Sequence, residues 1–159
     1  MIDYDKYRPA VAKGMSNYIG VPVIRSDQNA PVKTKDYLTY TITTLAGKND
    51  GTWQQHADGI DRLMVKSIWS FSSISDCWET SVNNAMKARE WIMNVGRTAL
   101  SDAGISVQSA TDITNRDNIL SVEYERKSGF DAVFYVFDEV SPVDDGYIET
   151  AEVSRIKEV

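Results

Sequence analysis

The hydrophobic pattern changes its period near Asp76, and this change decides what the chain can fold into. Before it, Leu38, Tyr40 and Ile42 alternate with Thr39, Thr41 and Thr43, which predicts a strand over 36–44 with one buried face. A second alternating stretch, 60–74, places Val65, Trp69 and Phe71 on one side and Met64, Lys66, Ile68 and Ser70 on the other. After it, Asp76-Cys77-Trp78-Glu79 has the capping-box arrangement. Trp78, Val82, Ala85, Met86, Ile92, Met93, Gly96, Ala99, Leu100 and Ala103 follow at helical spacing, with Gly104 as a left-handed stop. A long helix over about 77–103 is expected, with strands on both sides of it in sequence.

The flanking segments complete this layout. Tyr7, Val11, Met15 and Tyr18 recur at spacings of three and four before Gly20, which predicts an amphipathic helix. Pro9 favours a start near Arg8 over a longer, kinked helix from Asp3. Val21–Arg25 reads as a short strand that Pro22 confines to a sheet edge. Downstream, 105–110 and 119–126 alternate and predict two more strands joined by the polar stretch 112–118. In 130–137 both faces are apolar, Phe130, Ala132, Phe134 and Val136 against Val133, Tyr135 and Phe137, which predicts a central strand covered on both sides. The expected fold is α+β over a single domain, residues 1–159. It has a mixed, mostly antiparallel sheet of about five to six strands, with the long helix and an N-terminal helix packed on it.

Composition limits the function classes. A formal charge of -6 disfavours binding nucleic acid by phosphate neutralisation, which needs clustered Lys and Arg. The one cysteine, Cys77, permits neither an internal disulfide nor a zinc cluster and suits an intracellular folding environment. The amino terminus lacks the pattern of a secretory signal, and no run is long enough to span a bilayer, so no membrane association is expected.

No catalytic, cofactor-binding or metal-binding constellation emerges. The single histidine, His56, lies in a polar connection, where a solvated side chain is the simpler reading than a catalytic relay. Cys77 stands at a helix start that could lower a thiol pKa, although a small residue in a first turn explains it as well. Asp138-Glu139 and Asp144-Asp145 are adjacent acids with no metal-selecting spacing, and neither a dinucleotide fingerprint nor a P-loop is present. The sequence predicts a protein that is not an enzyme and uses no cofactor.

Two segments are candidates for contact with other chains. The hairpin connection 46–59 is polar yet contains Trp53, a large ring that a partner surface would explain. Trp53, Gln54, Gln55 and His56 form the first candidate interface. The second lies in the acidic tail 141–159, where Tyr147, Ile148 and Val153 could join a neighbouring chain, as an added strand does.

Val21-Pro22-Val23-Ile24, a loop ending in Asn29-Ala30-Pro31, Tyr37-Leu38-Thr39-Tyr40 and Tyr124-Glu125-Arg126-Lys127-Ser128-Gly129-Phe130-Asp131 occur in this order. Together with the helix between them they resemble the neck or tail-terminator proteins of tailed bacteriophages, over about residues 7–139. The resemblance implies a virion protein without catalytic activity, assembled in the host cytoplasm. It would form a homo-hexameric ring on the tail tube, stop tube growth, meet the tube protein and present a surface to the head-side connector. DNA would pass through its lumen without sequence-specific binding, and an acidic wall suits such a passage. Another connector or head-completion protein would share these features. A reading from a different class, a small regulatory ligand-binding α+β domain, predicts a monomer or dimer with a discrete apolar pocket. An enzyme would need His56 or Cys77 poised in a cleft.

Overall fold

The computed structural model describes residues 1–28, 35–47, 51–117 and 125–141. In chain order its elements are α1 (Tyr4–Ile19), β1 (Val23–Arg25), β2 (Tyr37–Gly47), β3 (Gln54–Gln55) and β4 (Asp61–Ser75). There follow α2 (Trp78–Glu90), a π-helical segment (Trp91–Val95), α3 (Arg97–Asp102), β5 (Ser106–Ala110), β6 (Thr114–Asn115) and β7 (Arg126–Val140). The sheet has the order β1-β2-β4-β7-β5, with β3 paired to β4 and β6 to β7. Among the described residues only β1 and β2 pair in parallel; the other pairings are antiparallel. The expected α+β class and mixed sheet are therefore found, with β1 at an edge as Pro22 demanded.

The core lies between one face of the sheet and the helices. Val65, Trp69, Phe71, Phe130, Phe134 and Val136 on the strands pack with Tyr7, Val11 and Met15 of α1 and with Ala88, Trp91, Ile92 and Leu100. Trp69 is wholly buried at its centre, stacked on Tyr40 at 5.3 Å and edge-on to Phe134 at 5.6 Å. Its indole N–H donates to Ser67 Oγ at 2.9 Å, and Ser67 in turn donates to the Thr44 carbonyl at 3.1 Å. The Tyr4 hydroxyl donates to the Leu45 carbonyl and lies 3.2 Å from Ser67 Oγ. These partners have a common cause: the β2–β4 register shifts between Ile42 and Gly47, which frees strand carbonyls for side-chain donors.

Three expectations need correction. First, α1 starts at Tyr4, not near Arg8. Asp3 caps it by accepting from the Lys6 amide at 3.2 Å, and Tyr7 is already a core residue. Pro9 sits inside the helix, where Arg8 donates to the Tyr4 carbonyl at 3.3 Å and pairs with Asp5. The buried stripe ends on Ile19, leaving Tyr18 exposed, and Gly20 closes the helix at φ 86°.

Second, the long helix is not one uniform stripe. The capping box does not form: Cys77 is the N-cap without a side-chain bond, and its amide donates to Ser75 Oγ at 3.1 Å. The buried residues of α2 are Ser81, Asn84, Ala85 and Ala88, while Trp78 and Met86 are about half exposed, at 51% and 55%. The π segment then widens the turn, closed by the Gly96 amide donating to the Trp91 carbonyl at 2.6 Å. The Trp91 indole lies where a Cβ on Gly14 or Gly96 would overlap it. Gly14 of α1 and Gly96 at the junction before α3 thus make room for one ring, and any side chain at either position displaces it.

Third, β7 is central but its two faces are buried unequally: Phe130, Ala132, Phe134 and Val136 are buried, whereas Val133, Tyr135 and Phe137 are half-buried. The second face carries instead the Arg116 side chain, which donates to Ser70 Oγ at 2.7 Å and pairs with Asp131 at 3.0 Å. The 112–118 connection contains β6, and of the expected strand 119–126, residues 119–124 lie outside the described residues.

Candidate assembly surface

Past Gly47, the lane beside β4 that β2 occupied is taken by β3, with Gln54 opposite Arg62 and Gln55 opposite Asp61. A tight turn follows: the His56 amide donates to the Ile60 carbonyl at 3.2 Å and the Gly59 amide to the His56 carbonyl at 2.9 Å. Gly59 adopts φ 77°, which suits glycine alone among unstrained residues. Arg62 fixes this turn to the sheet by donating to both oxygens of Asp58, at 2.8 and 3.4 Å, and to Glu139 of β7 at 2.8 Å. Residues 51–58 are all exposed, and Trp53 presents a ring that is 47% exposed on this braced support.

Trp53, Gln54, Gln55 and His56 thus lie on the exposed β3 segment, from the residue before it to the turn that follows it. Leu45, Met64 and Val140 are also exposed, and pairing places the last two near the same end of the sheet, Met64 opposite Phe137 and Val140 opposite Asp61. The Met1 amine pairs there with Asp138 at 2.8 Å. Tyr147, Ile148 and Val153 lie outside the described residues.

A second surface was hidden by the mistaken helix phase. Trp78, Val82, Met86 and Arg89 of α2 face Asp112, Ile113, Thr114 and Asn115 across a groove of about 440 Å³. Its signal in the sequence was the spacing of Trp78, Val82 and Met86 itself, a self-contained apolar stripe offset from the small residues Ser81, Ala85 and Ala88 that face the core.

His56 is exposed in the hairpin, and Cys77 is exposed with its thiol donating to Glu79 Oε2 at 3.1 Å. Among the described residues, no cluster of His, Cys, Asp and Glu could hold a metal ion, and no helix is long and apolar enough to cross a membrane.

A family model described as phage neck terminator protein matches residues 10–159. The chain belongs to the phage neck terminator proteins. This terminator is thus a structural component of the virion neck. No curated protein matches it. Among solved structures it is similar to a chain from the virion of native gene transfer agent (GTA) particle, at 15% identity over 86% of this chain and 91% of that one, with a TM-score of 0.33.

Electrostatics hold the terminator's turns together. Arg62, and then the Ile60 amide, keep the Asp58 carboxyl below its ordinary value. The Lys127 amide, at 2.6 Å, outweighs desolvation and with Arg126 lowers Asp117. Burial opposes ionisation of Asp131, but hydrogen bonds from Ser70 and Arg116 prevail and lower it. Acids with depressed folded-state values contribute stability above the unfolded value of 3.8 and lose it as the pH falls through their folded values. Urea midpoints are expected to fall from about pH 5 toward about pH 2. Asp117→Asn should flatten that slope; an identical slope in the variant would remove Asp117 from the account.

Proposed function

We propose that this protein forms a homo-hexameric ring at the head-proximal end of the tail, stops growth of the tail tube and joins the tail to the head-side connector. Family membership supports the reading, and the observation on this chain that carries it is the Arg62-braced hairpin presenting Trp53 to solvent. A half-exposed indole on a rigid support has the character of an interface anchor, because binding costs it little conformational freedom. In this reading the partners are further copies of the chain, the tube protein and the connector. The net charge of -6 suits a ring whose lumen lets DNA pass, since an acidic wall repels phosphate. Assembly takes place in the host cytoplasm, and the protein works by contact without catalysis.

Light scattering of the purified protein, followed by negative-stain imaging, tests this. The expected result is a closed ring with a mass near six subunits, formed alone or on adding tail tubes. A monomer that ignores tail tubes would overturn the reading.

A further inference from the structure

Beside the groove between α2 and residues 112–115 lies a strand edge that is open among the described residues. The Arg116 amide donates to the Lys127 carbonyl at 2.8 Å, so the alternation of an antiparallel pair turns the backbone of Asn115 and Ile113 away from β7. β6 has no second partner strand among the described residues. The neighbouring edge is closed differently: Arg89 donates to the Thr111 carbonyl at 2.9 Å and the Ala110 carbonyl at 3.2 Å, and Arg97 to the Val107 carbonyl at 3.3 Å. Free backbone groups next to an apolar groove are what recognition of an extended peptide requires: main-chain bonds hold it and pockets take alternate side chains.

We propose that this groove and edge receive residues 147–153 of a neighbouring copy, added as a strand along β6. The inference rests on the ring reading above and names the contact between its subunits. Residues 142–153 contain Asp144, Asp145, Glu149 and Glu152 and no Lys or Arg. Arg89 on one wall is the cation they meet, while Asp112 on the opposite wall is exposed to water. Tyr147 and Ile148 supply the apolar contact for Trp78, Val82 and Met86.

For Tyr147 and Ile148, which make the apolar contact, chain length makes the donor a different subunit. Ser128 lines the groove, and from there to Val140 β7 climbs about 40 Å at about 3.3 Å per residue. Tyr147 reaches at most about 25 Å from Val140 even when fully extended. A segment leaving one end of the sheet and a receptor at the other make a head-to-tail contact, the kind that closes a ring.

The test mixes two populations of full-length chain, both carrying Cys77→Ser. One bears Met86→Cys in the groove; the other bears either Ile148→Cys or Thr52→Cys, the latter beside the Trp53 hairpin as a competing occupant. After co-assembly and mild oxidation, a disulfide-linked dimer is expected with Ile148→Cys and not with Thr52→Cys. Met86→Cys joined to Thr52→Cys alone, or to neither in a sample that has formed rings, overturns this inference and leaves the ring intact. Failure of the unmodified chain to form rings with tail tubes present overturns the ring reading, and the inference with it.

Discussion

Trp53→Ala is expected to leave the fold unchanged and to weaken assembly by about 2 kcal/mol or more for each contact, roughly a thirtyfold loss. The two effects separate because the ring lies outside the core cluster, while Arg62, Asp58 and Glu139 still hold the hairpin in place. Thermal unfolding of the variant should therefore stay within about 0.5 kcal/mol of the parent, as for an ordinary surface change. In the proposed ring each subunit makes its contacts twice, so a loss at one position would recur around the circle and the concentration needed for closure would rise steeply. Light scattering across a dilution series, paired with circular dichroism, reads both quantities. Rings that persist to the same dilution would remove Trp53 from the interface; a lower melting temperature would instead make it part of the fold.

The largest effect on stability is expected at Trp69. Trp69→Ala should cost about 3–5 kcal/mol, since a wholly buried aromatic side chain leaves both lost transfer energy and a cavity. The cavity opens between Tyr40, Phe71 and Phe134 and also removes the donor that fixes Ser67 under the irregular stretch of β2. At about 2–4 °C per kcal/mol for a chain of this size, the melting temperature falls by on the order of 10 °C. Trp69→Phe keeps most of the packing and loses the indole N–H, so its deficit should lie well below that of alanine. Equal deficits in the two variants would mean that the hydrogen bond outweighs the packing, contrary to this description.

What the residues made legible follows their physics. Period-two alternation located β2 and β4, and Pro22 put β1 at an edge, because a strand buried on one face has only one way to sort its side chains. The helix misled for the opposite reason. Close approach to the sheet favours small side chains at the contact, so Ser81, Ala85 and Ala88 carry little hydrophobic signal, while Trp78 and Met86 carry a strong one from the outside. The π turn at Trp91–Val95 adds a further phase shift that a constant period cannot represent. Pro9 misled because its local penalty was weighed without the burial of Tyr7, a tertiary contact. Of the candidate surface, the hairpin was readable from a tryptophan among polar residues. The groove was not, since it needs β6 and α2 side by side.

The long β4–β7 ladder also sets a timetable. Residues 61–75 find their partner only in 126–140, so the two middle strands of the sheet cannot zip together until most of the polypeptide has left the ribosome. Until then β4 has β2 beside it and an open flank, and the aromatic cluster built from Trp69, Phe71, Phe130 and Phe134 is only half supplied. A nascent chain therefore holds no finished platform under the Trp53 turn, whose brace to Glu139 comes only with β7. The braced hairpin is therefore acquired late in synthesis, and an unfinished chain lacks it.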